Sequence, residues 1–213
     1  MPDFEIKEWN ESNYDVNKAS YMRQAYECKK YAFVSDYARF DILNEYGGIY
    51  LDIDVEIIKP LDGLLADNEC FSGFENERGQ VATGLILASE ANNVILRETL
   101  ERYAQTSFLD SDHHADLTTV VVHFTNVLER HGLLPENRIQ RLDHITIYPI
   151  EYFNPMETET FQVHITENTY TIHHFNASWF PFKRRMKWKI KKLLGPKISG
   201  WLISLKKKLR INR

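Results

Sequence analysis

Residues 33–60, FVSDYARFDILNEYGGIYLDIDVEIIKP, leave the chain little freedom. They read as a helix, a glycine turn and a strand. Ser35 is a good N-cap ahead of Tyr37, Phe40, Ile42, Leu43 and Tyr46, which share a broad apolar face at helical spacing. Asp36 and Arg39 then fall in the first turn, three apart and on one side. The free N–H groups of a helix start attract anions, and Arg39 adds a two-pronged donor there. Gly47-Gly48 ends the helix, because glycine adopts the left-handed conformation of a C-terminal cap. In the following IYLDIDVEII, residues Ile49, Leu51, Ile53, Val55 and Ile57 alternate with Tyr50, Asp52, Asp54, Glu56 and Ile58. That is the period of a strand, which points Asp52 and Asp54 the same way. Two carboxylates on one face resist joint ionisation unless a cation lies between them. A hard divalent ion such as Mg2+ or Mn2+ takes such oxygen ligands and shares itself with phosphates.

A D-x-D alone carries little information. With 12 Asp in 213 residues, about one is expected by chance if positions are independent. A second one, Asp110-Ser111-Asp112, sits in a polar stretch with His113, His114 and Asp116 that reads as a solvated loop. The strand, the glycine turn and the helix start single out Asp52 and Asp54.

The length fits one domain, residues 1–180, with a tail, residues 181–213. Residues 181–213 hold 13 of the 26 Lys and Arg and no Asp or Glu. The preceding 180 residues keep 13 basic against 30 acidic, a net of −17. That charge excludes nucleic acid as a partner of the body. The tail interleaves its cations with Trp188, Ile190, Leu193, Leu194, Trp201, Leu202 and Leu205. This predicts an amphipathic helix over 183–210 lying on an anionic membrane surface. Cys28 and Cys70 form no disulfide framework and fit a reducing compartment. No run of 18 apolar residues is present, so the expected location is cytoplasmic and peripheral on the inner face of a membrane.

Elsewhere the pattern predicts a short strand in FEIKEW (4–9), a helix over 19–32 and strands at 70–75 and 82–89. Helices are predicted at 92–103 and 117–132, a strand and a Pro-bounded turn at 145–155, and a strand at 170–180. In the last of these, His173 and His174 face opposite ways.

The combination of Ser35-Asp36-x-x-Arg39, the Gly-Gly turn, Tyr50-Leu51-Asp52-x-Asp54 and the following Pro60 resembles sugar transferases with a D-x-D motif. The nearest group is glycosyltransferase family 32, the Och1-like and capsular-polysaccharide enzymes. The catalytic domains of large clostridial glucosylating toxins are more distantly similar. The resemblance implies an α/β fold of the GT-A type, three layers around a mixed sheet, with a nucleotide-diphospho-sugar donor and a glycan or lipid-linked acceptor in surface-polysaccharide synthesis. It implies hexose transfer with retention of configuration. It also implies Mn2+ or Mg2+ bound by Asp54, with Asp52 on the ribose or on the ion through water, and Asp36 and Arg39 on the ribose and the sugar. Tyr50, Thr83 and Gly84 join the substrate-binding set. In the C-terminal strand, His174 is favoured as metal ligand over His173, and Ser178 and Trp179 contact phosphate and close over the donor. Family members begin with an apolar strand and a Trp-containing loop, so this chain is expected to be N-terminally shortened. Glu75 is the one carboxylate offered as a nucleophile.

Two other readings use the same residues. Asp52-Ile53-Asp54-Val55 fits the D-x-D-x-[TV] pattern of haloacid-dehalogenase-type phosphatases, in which the first Asp is phosphorylated. That reading requires a later acidic pair after an apolar strand, and none follows. The other is a degenerate paralogue that binds sugar nucleotide or a partner without turnover.

Overall fold

The computed structural model describes residues 4–157, 160–175 and 186. It is an α/β structure around a mixed five-stranded sheet, with a separate two-stranded ladder. Two helices come first, α1 (Ser20–Glu27) and α2 (Tyr31–Tyr46). The strands β1 (Gly48–Tyr50), β3 (Cys70–Gly73), β4 (Leu87–Ser89), β5 (Gln140–Leu142) and β6 (Ile145–Tyr148) form the main sheet in the order β1-β4-β3-β6-β5. β3 and β6 are parallel and the other neighbours antiparallel. The small ladder joins β2 (Val55–Ile57) to β7 (Thr171–His173). The remaining helices are α3 (Asp62–Asp67), α4 (Val94–Ala104), α5 (Val120–Arg130) and α6 (Ile150–Phe153).

Alternate strand residues enter two cores. Cys70, Leu87 and Ile147 face a thick layer of α1, α2, α4 and α5, where Tyr21, Met22, Phe40, Ile95, Leu96 and Phe124 are buried. Phe71, Ala88 and Tyr148 face a thinner layer with Leu64 of α3 and Phe153 of α6. A buried Leu, Ile or Phe is worth about 1.5–3 kcal/mol. Strands apolar on both sides therefore have to be covered on both sides, and the sheet becomes the middle of three layers.

Several local expectations change. The helix over 19–32 stops at Glu27, where Lys29 turns into the left-handed region with φ 56°. α2 starts at Tyr31 with Lys30 as its cap residue, so Ser35 lies inside the helix and its hydroxyl donates to the Ala32 carbonyl at 2.8 Å. Asp36 and Arg39 are thus mid-helix, and their expected place in the first turn is corrected. FEIKEW forms no strand and pairs with none among the described residues. Trp9 instead packs on Tyr46 with ring centroids 5.2 Å apart, and Ile6 is 95% exposed. Gly47-Gly48 closes α2 as expected, with Gly47 at φ 68° donating its N–H to the Leu43 carbonyl. The predicted strand 170–180 contains β7, while Ser178 and Trp179 lie outside the described residues. So does the basic tail apart from residue 186. No helix among the described residues is long and apolar enough to cross a membrane.

A methyl group on Gly47 would sit 3.0 Å from the Ala91 nitrogen and 3.1 Å from the Ser89 carbonyl, in a conformation that L-residues resist. Gly47→Ala is expected to lower unfolding stability by about 1–3 kcal/mol, read as a shifted urea midpoint at unchanged slope.

Candidate functional site

The strand expected over 49–58 breaks at the two aspartates. β1 ends at Tyr50, and the Asp52 N–H still donates to the Gly84 carbonyl at 3.0 Å. The Val55 N–H then donates to the Asp52 carbonyl at 3.0 Å, closing a turn over residues 52–55. Ile53 is fully exposed at its tip. Beyond the turn the chain leaves the main sheet, and β2 pairs with β7 instead. The break has a local cause. β4 begins only at Leu87, because Leu85 turns back to the Ala82 carbonyl, so β1 runs out of partner past Gly84. Asp52 and Asp54 therefore converge as the two flanks of a turn, and the expected single pleated face is corrected.

The β2–β7 ladder supplies the third group. Val55 is paired with His173, and the His174 N–H donates to the Asp54 carbonyl at 2.9 Å. His173 Nε2 lies 3.2 Å from Asp54 Oδ1 and 3.6 Å from Asp52 Oδ2. The donor atoms of Asp52, Asp54 and His173 all fall within 4.8 Å of one another, close enough to share one metal ion. His173 is 8% exposed, and its buried Nδ1 has no hydrogen-bond partner. Two carboxylate oxygens and an imidazole suit a divalent cation of the Mn2+ or Mg2+ kind. His174, the histidine favoured from sequence, instead sets its Nε2 2.9 Å from Glu56 Oε2 at the surface.

Arg39 supports this turn from behind. The residue is 5% exposed, and its guanidinium has neighbours on several sides. Nε donates to the Ser35 carbonyl at 3.1 Å, Nη2 to Asp36 Oδ1 at 2.8 Å and Nη1 to Thr83 Oγ1 at 3.1 Å. Its plane stacks over the Tyr50 ring at 4.3 Å, and Nη1 is 3.8 Å from Asp52 Oδ1. The Tyr50 hydroxyl donates to the same Oδ1 at 3.0 Å. Asp36, Arg39, Tyr50, Thr83 and Gly84, all expected to bind substrate, thus form one bracket around Asp52, with Asp36, Arg39 and Thr83 buried and Tyr50 and Gly84 half-buried. Gly84 is part of it by its lack of a side chain, since a Cβ there would fall onto Asp52 Oδ2, 2.9 Å from Cγ.

The charges follow from this packing. Burial opposes ionisation of Asp52, but His173, Arg39 and the Tyr50 hydroxyl outweigh it and hold the carboxyl below its usual range. Asp36 goes the other way. Burial pushes it up to about 6 against the pull of Arg39, with the Asp52 charge adding to the rise. The Val120 N–H at the start of α5 donates to it. That helix start has no side-chain cap from Thr119, so Asp36 serves one of its free N–H groups. The anion at a helix N-terminus is Asp36 itself, and the helix is α5. No local pattern links residue 36 to residue 120; only an uncapped start at Thr119 hints that a distant acceptor is needed.

Glu75, offered from sequence as a nucleophile, is half-buried just past β3, and burial raises its carboxyl while the nearby His173 lowers it. Asp110 accepts the N–H groups of Asp112 and His114, and the 105–116 loop contributes to no metal-binding group among the described residues.

Two results are expected. Gly84→Ala turns the Asp52 carboxylate aside and lowers Mn2+ affinity at least about tenfold, comparable to losing a positioning contact, as read by electron paramagnetic resonance titration. The folded state keeps the Asp36 proton up to about pH 6, whereas an unfolded aspartate, with the usual value of 3.8, has already released it. The folded state therefore binds more protons in that window, and the Asp36 contribution to stability falls as pH rises from about 4 to 6. Asp36→Asn is expected to flatten that part of the melting-temperature profile.

Residues 1–71, a third of the chain, match the model of a family described as glycosyltransferase sugar-binding region containing DXD motif. The matched stretch includes Asp36, Arg39, Tyr50, Asp52 and Asp54 and ends before β7. No curated protein and no solved structure matches the chain. The likeness in residues 1–71 supports a glycosyltransferase whose D-x-D turn faces a histidine from the far end of the sequence.

Proposed function

We propose that this protein is a metal-dependent glycosyltransferase of the GT-A type, which moves a hexose from a nucleotide-diphospho-sugar to a glycan or lipid-linked acceptor. The observation that carries the reading is the meeting of Asp52, Asp54 and His173 around a point that one cation can fill. Such an ion supplies charge neutralisation to a departing diphosphate. The chain's own residues do the rest. Asp52 and Asp54, from the two flanks of the turn, and His173, from β7, would hold the ion. Arg39 and Tyr50 hold Asp52 ionised and fix its direction, which preserves an acceptor for a ribose or metal-bound water. By the family resemblance Ser178 and Trp179, outside the described residues, would contact the phosphates.

The position of the site agrees with this role. Asp52 lies past the C-terminal end of β1, and ligands of open α/β sheets bind outside the carboxyl ends of strands. Retention of configuration and a role in surface or capsular polysaccharide synthesis follow from the resemblance to family 32. The basic amphipathic tail, 183–210, holds the enzyme against the anionic inner face of a membrane, beside a lipid-linked acceptor.

Asp54→Asn is expected to abolish Mn2+-dependent hydrolysis of the donor, by at least about a hundredfold for loss of a direct metal ligand. Chelation of the wild-type protein should do the same, and added Mn2+ should restore it. If UDP- and GDP-sugars are neither bound nor hydrolysed with Mn2+ by the intact chain, the proposal fails.

A further inference from the structure

We infer that Glu75 binds hydroxyl groups of the transferred sugar and so helps set which sugar the protein accepts. The inference rests on the donor reading above and extends it to a residue outside the metal and bracket groups.

The topology fixes where Glu75 stands. β1 and β3 are both antiparallel to β4, which lies between them, so they run the same way and end at the same edge of the sheet. Asp52 follows β1 by two residues and Glu75 follows β3 by two residues. One peptide segment links them. The Ala82 N–H donates to the Gly73 carbonyl, and two residues on the Gly84 carbonyl accepts the Asp52 N–H. With strands about 4.8 Å apart, the two carboxylate-bearing backbones are separated by about 10 Å, a gap that suits one sugar ring.

The backbone of Glu75 is held firmly. Its N–H donates to the Gln80 carbonyl at 2.7 Å, and its own carbonyl accepts from Asn154 Nδ2 at 2.8 Å. The preceding Phe74 donates to Tyr148 of β6 at 3.0 Å and bridges Val81. The 76–80 turn is tied by Asn76 Nδ2 to Gln80 Oε1 at 3.0 Å. A site residue on so rigid a mount keeps its direction.

The side chain is less satisfied. Asn76 Nδ2 donates to Glu75 Oε2 at 3.2 Å, and no Lys or Arg among the described residues forms an ion pair with it. An ionised carboxylate is an acceptor only, with about four lone-pair sites. This one is half-buried and near enough to His173 to feel its charge, and adjacent sugar hydroxyls would supply the remaining donors in pairs. Asn154, which holds the Glu75 carbonyl, is 5% exposed and has an unpartnered Oδ1, a further acceptor next to the same segment. Diphosphate and metal are poor candidates for this spot. The first would be repelled by Glu75, and the donor atoms that gather for the second are those of Asp52, Asp54 and His173.

The test is calorimetric titration of the full-length protein and Glu75→Gln, each saturated with Mn2+. The ligands are UDP, GDP, UDP-glucose and GDP-mannose, with thermal melting as a check on folding. Hydrogen bonds to a charged acceptor are about twice as strong as those to a neutral one. The amide is therefore expected to weaken the sugar nucleotide at least about tenfold, with Kd for the matching free nucleotide and for Mn2+ held within twofold. Glu75→Asp, which keeps the charge, should recover part of the loss. Equal affinity of Glu75→Gln and wild type for the sugar nucleotide overturns the inference and leaves the donor reading standing. A parallel loss of Mn2+ affinity also overturns it, because Glu75 would then act through His173. Failure of the wild type to bind any of the four ligands overturns the donor reading and the inference with it.

Discussion

A guanidinium at 5% exposure persists only where its donors are met, and Arg39 meets them within one small volume. Asp36, Thr83 and the Ser35 carbonyl accept from it, while Tyr50 covers its face. These contacts tie the middle of α2 to the end of β1 and to the segment before β4. Asp52 is the group that gains from this arrangement. Its carboxyl is lowered despite burial by His173 first, then by the neighbouring Arg39 and the Tyr50 hydroxyl. The cost falls on Asp36, whose carboxyl is raised to about 6 although it touches the same arginine. Two carboxylates around one buried cation are thus pushed apart, one kept ready for a ligand and the other for structure.

The second constraint is a change of sheet. Had β1 continued to Ile58 as one strand, Asp52 and Asp54 would have stood side by side on an open pleat. The turn over 52–55 instead bends the chain out to β7, and the register Val55–His173 brings an imidazole across from a residue 119 positions away in sequence from Asp54. Small residues make the bend feasible. Gly84 leaves room for the Asp52 side chain at the point where β4 has already ended.

The body and the tail divide the electrostatics. An excess of acid before residue 181 is followed in sequence by a segment with 13 Lys and Arg and no Asp or Glu. An acidic body disfavours polyanionic partners over most of its surface. Arg39 beside Asp52, and the group of Asp52, Asp54 and His173 that could hold a cation, mark where negative charge can be offset.

The residues that matter most were legible from sequence as types and spacings. The Gly-Gly turn, the D-x-D pair and the Asp36–Arg39 pair are short-range patterns, and each reflects a local rule of helix ending, turn or charge, whereas Thr83-Gly84 was singled out through the family resemblance alone. Their roles were less legible. Ser35 as a cap, a single strand over 49–58 and a paired FEIKEW were all reasonable on propensity, and each yields to packing. The buried face of α2 needs the extra turn from Tyr31, β4 is too short to carry β1 further, and residues 4–9 have no strand beside them among the described residues. Period two cannot say which of two adjacent histidines faces the aspartates, because that depends on the β2–β7 register, a contact between distant segments. Sequence by itself determined which groups are available and where the chain must turn, since both are set by covalent chemistry and neighbours. Only the tertiary structure decided which groups meet, because burial of Arg39 and pairing of β7 are properties of the whole packed chain.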